Sequence, residues 1–75
     1  MNIEHLVQMA NQIGQFFQTE PDRAEAVAGI ANHLKRFWDP RMRKAIIEHL
    51  RDHDGAGLDE LTAAGVRRLS EESAR

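Results

Sequence analysis

The sequence predicts an all-α fold, a small bundle of three helices plus a short fourth helix, with a sharp helix-helix corner at Asp39-Pro40. Two observations carry this prediction. Apolar residues recur three and four positions apart through most of the chain, and the strict alternation of a half-buried strand appears nowhere. Proline or paired glycines interrupt that pattern at three places, each beside a residue suited to cap a new helix.

The first helix is expected over about residues 3–18, where Ile3, Leu6, Val7, Ala10, Ile13 and Phe17 share a face. Asn2 is its candidate N-cap, and Glu4 sits near the positive end of the helix dipole. Its opposite side carries Gln8, Asn11, Gln12, Gln15 and Gln18, neutral amides where a freely solvated helix usually carries Glu and Lys. Thr19-Glu20-Pro21-Asp22 then breaks and restarts the chain, with Thr19 as a capping candidate and Pro21 near the first helical position. A second helix over about 21–37 has a thin inner face, Ala24, Val27, Ala28, Ile30, Ala31, Leu34 and then Phe37 or Trp38. Gly29 and Gly14 suit close helix packing better than chemistry.

At Asp39-Pro40 one helix must end, because Pro40 lacks an N–H and its ring would clash with the Arg36 carbonyl in a continuous helix. A new helix, about 40–53, can begin at once, with Asp39 accepting from the N–H of Arg41 or Met42 and Pro40 preset for the first helical position. Asp54-Gly55-Ala56-Gly57 supplies the next stop and turn. Leu58, Leu61, Val66 and Leu69 predict a fourth helix over about 59–70, capped by Asp59 and weakened by Gly65, before a polar tail at 71–75.

A chain of 75 residues forms a single helical domain spanning residues 1–75 and has no Cys, hence no disulfide and no thiolate metal site. A domain of this size buries only about 60% of the surface its unfolded chain exposes. No apolar run is long enough to span a bilayer and no signal-peptide pattern opens the sequence, so neither a membrane span nor a signal peptide is expected, and the lack of Cys fits a reducing cytoplasm. The formal charge of −2 hides a pattern: residues 23–51 carry seven bases against three acids, while acids dominate both flanks.

His49 and His53 lie four apart beside Asp52, but the run lacks the glutamate of a hydrolytic zinc helix and offers no third ligand, so no metal site is expected. Thr19, Thr62, Ser70 and Ser73 have no nucleophile motif around them, and no catalytic or cofactor-binding residue is assigned. The basic cluster Lys35, Arg36, Arg41, Arg43 and Lys44 could grip phosphate, yet the corner has no loop and its flanks are acidic, which disfavours nucleic acid. A protein partner fits better, since Trp and Arg are enriched at interface hot spots. The candidate partner-binding residues are Arg36, Trp38, Asp39, Pro40, Arg41 and Arg43, with Trp38 as a packed anchor, the arginines pairing with partner carboxylates or backbone carbonyls, and Phe37 closing this chain's own core.

The run from Pro21 to Arg43, in which Ile30-Ala31-Asn32-His33-Leu34 leads into Phe37-Trp38-Asp39-Pro40-Arg41-Met42-Arg43, resembles the small delta subunits of soluble NAD-dependent, molybdenum- or tungsten-containing formate dehydrogenases. Leu6-Val7-Gln8-Met9-Ala10-Asn11-Gln12-Ile13 and the turn Gly55-Ala56-Gly57-Leu58 support the resemblance, which covers nearly the whole chain. It implies a noncatalytic accessory subunit of a cytoplasmic complex, binding the large catalytic (alpha) subunit to support its assembly or stability. It also implies that the molybdenum pterin, the iron–sulfur clusters and the flavin reside in partner subunits, with none in this chain. A transient chaperone for insertion of the pterin cofactor, a small helical nucleic-acid-binding protein, and a homodimer of the isolated chain stay open at this point.

Overall fold

In the computed structural model, which describes residues 2–74, four helices follow one another, α1 (Ile3–Phe17), α2 (Arg23–Phe37), α3 (Pro40–His53) and α4 (Glu60–Ser73). The fold is all-α, as the periodicity predicts.

Each helix begins on an extended residue. Asn2 Oδ1 accepts from the backbone N–H of Glu4 at 2.8 Å and of His5 at 3.4 Å, satisfying two donors that the helix itself leaves unpaired. The second helix starts later than expected. Asp22, not Thr19, is its N-cap, accepting from the N–H of Ala24 at 2.9 Å and of Glu25 at 3.4 Å. The Glu20 carboxylate takes the N–H of Asp22 at 3.2 Å, and Pro21 precedes the cap instead of opening the helix.

The corner forms as expected. Trp38 and Asp39 are extended, the Asp39 carboxylate accepts from the Met42 N–H at 3.0 Å, and Pro40 occupies the first turn of α3. At the far end of α3 the chain turns left-handed through Asp54, Gly55 and Gly57, whose φ angles are 53°, 66° and 87°. Glycine suits this geometry because it lacks the Cβ that makes positive φ costly.

The α3–α4 loop is held from a distance by Asn11 of α1. Its Nδ2 donates to the Gly57 carbonyl at 2.9 Å and its Oδ1 accepts from the Asp59 N–H at 2.9 Å. Asp59 stands at the N-cap of α4, but its carboxylate makes no capping bond, so this locking amide performs the ordering that capping by Asp59 was expected to provide. Asn11→Ala removes both bonds and should cost about 1–2 kcal/mol. A lowered denaturant midpoint at unchanged slope would register that loss.

The core is built around α2 and α4. Leu6 and Ala10 of α1, Ile30, Ala31 and Leu34 of α2, Ile46 of α3, and Val66 and Leu69 of α4 are all buried. Ala24, expected inside, is exposed, and Ala26 takes the inner position, because the buried row of α2 runs in steps of four through Ala26, Ile30, Leu34 and Trp38. Glycines set the closeness of the packing. A Cβ on Gly14 would strike Thr62, one on Gly29 the ring of Phe17, and one on Gly65 the side chain of Ile30. Gly65 is therefore the point at which α2 and α4 touch. The last helix also runs beyond the expected 59–70: residues 71–73, assigned to the polar tail, are helical, and Arg68 Nε reaches Glu72 Oε2 at 3.2 Å one turn on.

Candidate functional site

Helical phase divides the two adjacent aromatics of the corner. Trp38 continues the buried row and is only 5% exposed, inside this chain's own core. Phe37 belongs to the neighbouring row, Gly29, His33, Phe37, and is 68% exposed. The expectation that Phe37 closes the core while Trp38 is offered to a partner is reversed.

The cations of the corner also have unequal roles. Arg43 is half-buried and turned back, its Nη1 donating to the Lys35 carbonyl at 2.9 Å and the Trp38 carbonyl at 2.7 Å. It satisfies carbonyls that the end of α2 leaves unpaired, and so braces the corner from within. Arg36 is exposed, with its guanidinium carbon 5.6 Å from the centre of the Phe37 ring. Arg41 is exposed, as are Asp39 and Pro40, which fix the angle between α2 and α3.

Beside Phe37 an open groove of about 430 Å³ runs between α1 and α2. Met9, Ile13, Phe16 and Phe17 form one wall and His33 and Trp38 the other, with Gln12 at the edge. Phe17 fits against α2 because Gly29 offers no side chain there. Phe16 stands edge-on to Phe17, ring centres 5.2 Å apart, and is 76% exposed. The His33 ring lies 4.7 Å from that of Phe37, so two exposed phenylalanines flank the opening. Of the residues lining this groove, the expected site contained Trp38 alone. The available signal was Phe16 itself, a large apolar side chain set between Gln15 and Gln18 and out of phase with the buried stripe of α1.

The histidine pair offers no comparable site. The rings of His49 and His53 are 5.6 Å apart, but His49 Nε2 is engaged with the Ala56 carbonyl at 2.7 Å, tying α3 to the loop that follows it. Asp52 is bonded to Arg51 at 2.9 Å, and that hydrogen-bonded guanidinium holds its carboxyl below the usual carboxylate range. Among the described residues no three His, Cys, Asp or Glu side chains are gathered to hold a metal ion, and no helix is long and apolar enough to cross a membrane.

The model of one protein family, described as NADH-dependant formate dehydrogenase delta subunit FdsD, matches residues 5–66. The chain belongs to this family. No curated protein and no solved structure matches it. The matched segment contains both walls of the groove and the whole corner, so the exposed apolar face lies within the delta-subunit family region.

Proposed function

We propose that this chain is a noncatalytic accessory subunit of a cytoplasmic NAD-dependent formate dehydrogenase, docking on the large catalytic subunit to support its assembly or stability. The molybdenum pterin, the iron–sulfur clusters and the flavin then belong to partner subunits. A chain without Cys offers no thiolates for a cluster. Family membership supplies the complex. The observation that carries docking is an apolar groove with the exposed Phe16 ring in its lining and the exposed Phe37 ring stacked beside its His33. Large apolar side chains gathered on one face of a small chain mark an interaction surface, and aromatic residues and arginine are enriched there.

The corner residues divide between contact and support. Arg36 and Arg41, exposed, pair with carboxylates of the partner, while Asp39-Pro40 sets the angle at which they are held. Trp38 and Arg43 act from inside, keeping the corner rigid.

The test is purification of the mature complex through a tagged large subunit. The chain is expected at fixed stoichiometry, and a Phe37→Ser/Arg41→Ala variant is expected to lower its recovery by about tenfold or more, the size of a hot-spot loss. Both positions are exposed, so the variant should keep its helicity. Undiminished recovery of the variant would remove these residues from the interface. A chain bound to immature large subunit but missing from the mature complex would instead mark a transient assembly chaperone.

A further inference from the structure

We infer that α3 is a hinged arm, which lifts off α1 and α4 as a unit between pivots at Asp39-Pro40 and Asp54-Gly55 while the rest of the fold stays in place. The helices are unequally attached. Ile46 is the one buried residue of α3, where α2 and α4 have four each, and Met42, Ala45, Ile47 and Leu50 add half-buried packing. Although consecutive, α2 and α3 barely touch, because the loopless corner sends them apart. Among the described residues no ion pair or hydrogen bond runs from α3 to α1 or α4. Outside the helix itself, its side chains bond only to adjoining chain: Arg43 to the Lys35 and Trp38 carbonyls before it, His49 to the Ala56 carbonyl after it. An element held by so few buried contacts opens at a lower free energy than the whole fold.

The other three helices are tied together without it. Gly65 brings α4 against Ile30 of α2, and Arg23 of α2 pairs with Glu60 of α4 at 2.7 Å. Asn11 of α1 holds Gly57 and Asp59, which lie beyond the second pivot, so the start of α4 stays pinned to α1 when α3 lifts. Both pivots are non-helical: Trp38 and Asp39 are extended, Asp54 and Gly55 left-handed. Backbone rotation at these few residues moves α3 without unwinding a helix. The arm's position sets the spacing of two exposed cations, Arg36 before the first pivot and Arg41 after it. On the docking reading proposed above, a partner that grips both holds the arm down, which couples docking to closure.

The test is amide hydrogen exchange of the full chain, followed residue by residue by NMR under conditions where the rate reports the opening equilibrium. Backbone N–H groups of residues 45–50 in α3 are expected to exchange at least about tenfold faster than those of 30–34 in α2 and 66–69 in α4. Asn11→Ala supplies the sharper comparison. The bonds it deletes persist when the arm lifts and are lost only on global unfolding, so it should speed exchange in α2 and α4 by about five- to thirtyfold and leave α3 as it was. Equal protection of α3, α2 and α4, or acceleration of all three by one factor, overturns the arm. In the assembled formate dehydrogenase, exchange read by mass spectrometry should be slowed in α3 by at least about tenfold relative to the isolated chain. An α3 that exchanges as fast in the complex overturns the coupling, while co-purification leaves the docking reading standing. A chain missing from the complex removes docking and coupling together, and leaves the arm as measured in the isolated chain.

Discussion

Trp38→Ala is expected to cost about 3–5 kcal/mol, the usual toll of deleting a large buried aromatic. A chain of 75 residues holds on the order of 4–11 kcal/mol in total, so this one change should bring the protein close to its unfolding threshold. The size follows from position. Trp38 is 5% exposed, joins α1, α2, α3 and α4 in one cluster, and forms a wall of the α1–α2 groove. Its carbonyl also receives the Arg43 guanidinium, so loss of the indole loosens the corner on both sides. The neighbour is the control. Phe37→Ala, at a ring 68% exposed, should stay within about 0.5 kcal/mol of the parent in a denaturant titration. Equal losses at the two positions would contradict the assignment of Trp38 to the core and Phe37 to the surface.

That contrast also marks how far the sequence is legible. Local chemistry is readable because its causes are adjacent in the chain. Asn2, Asp39-Pro40 and the glycines of the 54–57 turn act on bonds within four residues, and all three features form where expected. The phase of α2 is harder to read. Alanines fill both of its inner rows, so the apolar pattern tolerates a rotation that carries either Phe37 or Trp38 inward, and only the packing of α4 against Ile30 and Leu34 decides. Long-range polar contacts are unreadable for a related reason. Nothing near Asn11 announces a partner 46 or 48 residues away, and nothing in Arg43 distinguishes a guanidinium aimed at a partner from one folded back on Lys35 and Trp38. The groove was missed because it is a gap between helices. It opens beside the close contact of Phe17 with Gly29, where His33 presents too little apolar bulk to meet Met9 and Ile13.

The second large effect belongs to Gly65→Val, expected to cost about 2–3 kcal/mol, the upper part of the overpacking range. A Cβ at Gly65 would lie 2.7 Å from Ile30 Cβ, inside the distance at which real carbon atoms pack, and valine adds two methyl groups beyond it. Ile30 cannot yield. It is fully buried, and its branched Cβ holds one preferred rotamer in a helix. The helices must therefore separate, at an overpacking cost of roughly 1–3 kcal/mol or more, against about 0.4 kcal/mol recovered from better helix propensity. Gly29→Ala faces a softer neighbour. The Phe17 ring is half-buried at the open groove and can swing outward, so that change should remain within about 1 kcal/mol. A double-mutant cycle separates this mechanism from a general intolerance of substitution at position 65. Ile30→Ala removes Cγ2 and Cδ1, two of the three atoms that crowd position 65, and leaves only Cβ, so Gly65→Val/Ile30→Ala should be more stable than the sum of its parts by at least about 1 kcal/mol. Simple additivity would show that the cost arises elsewhere in α4 and not at its crossing with α2.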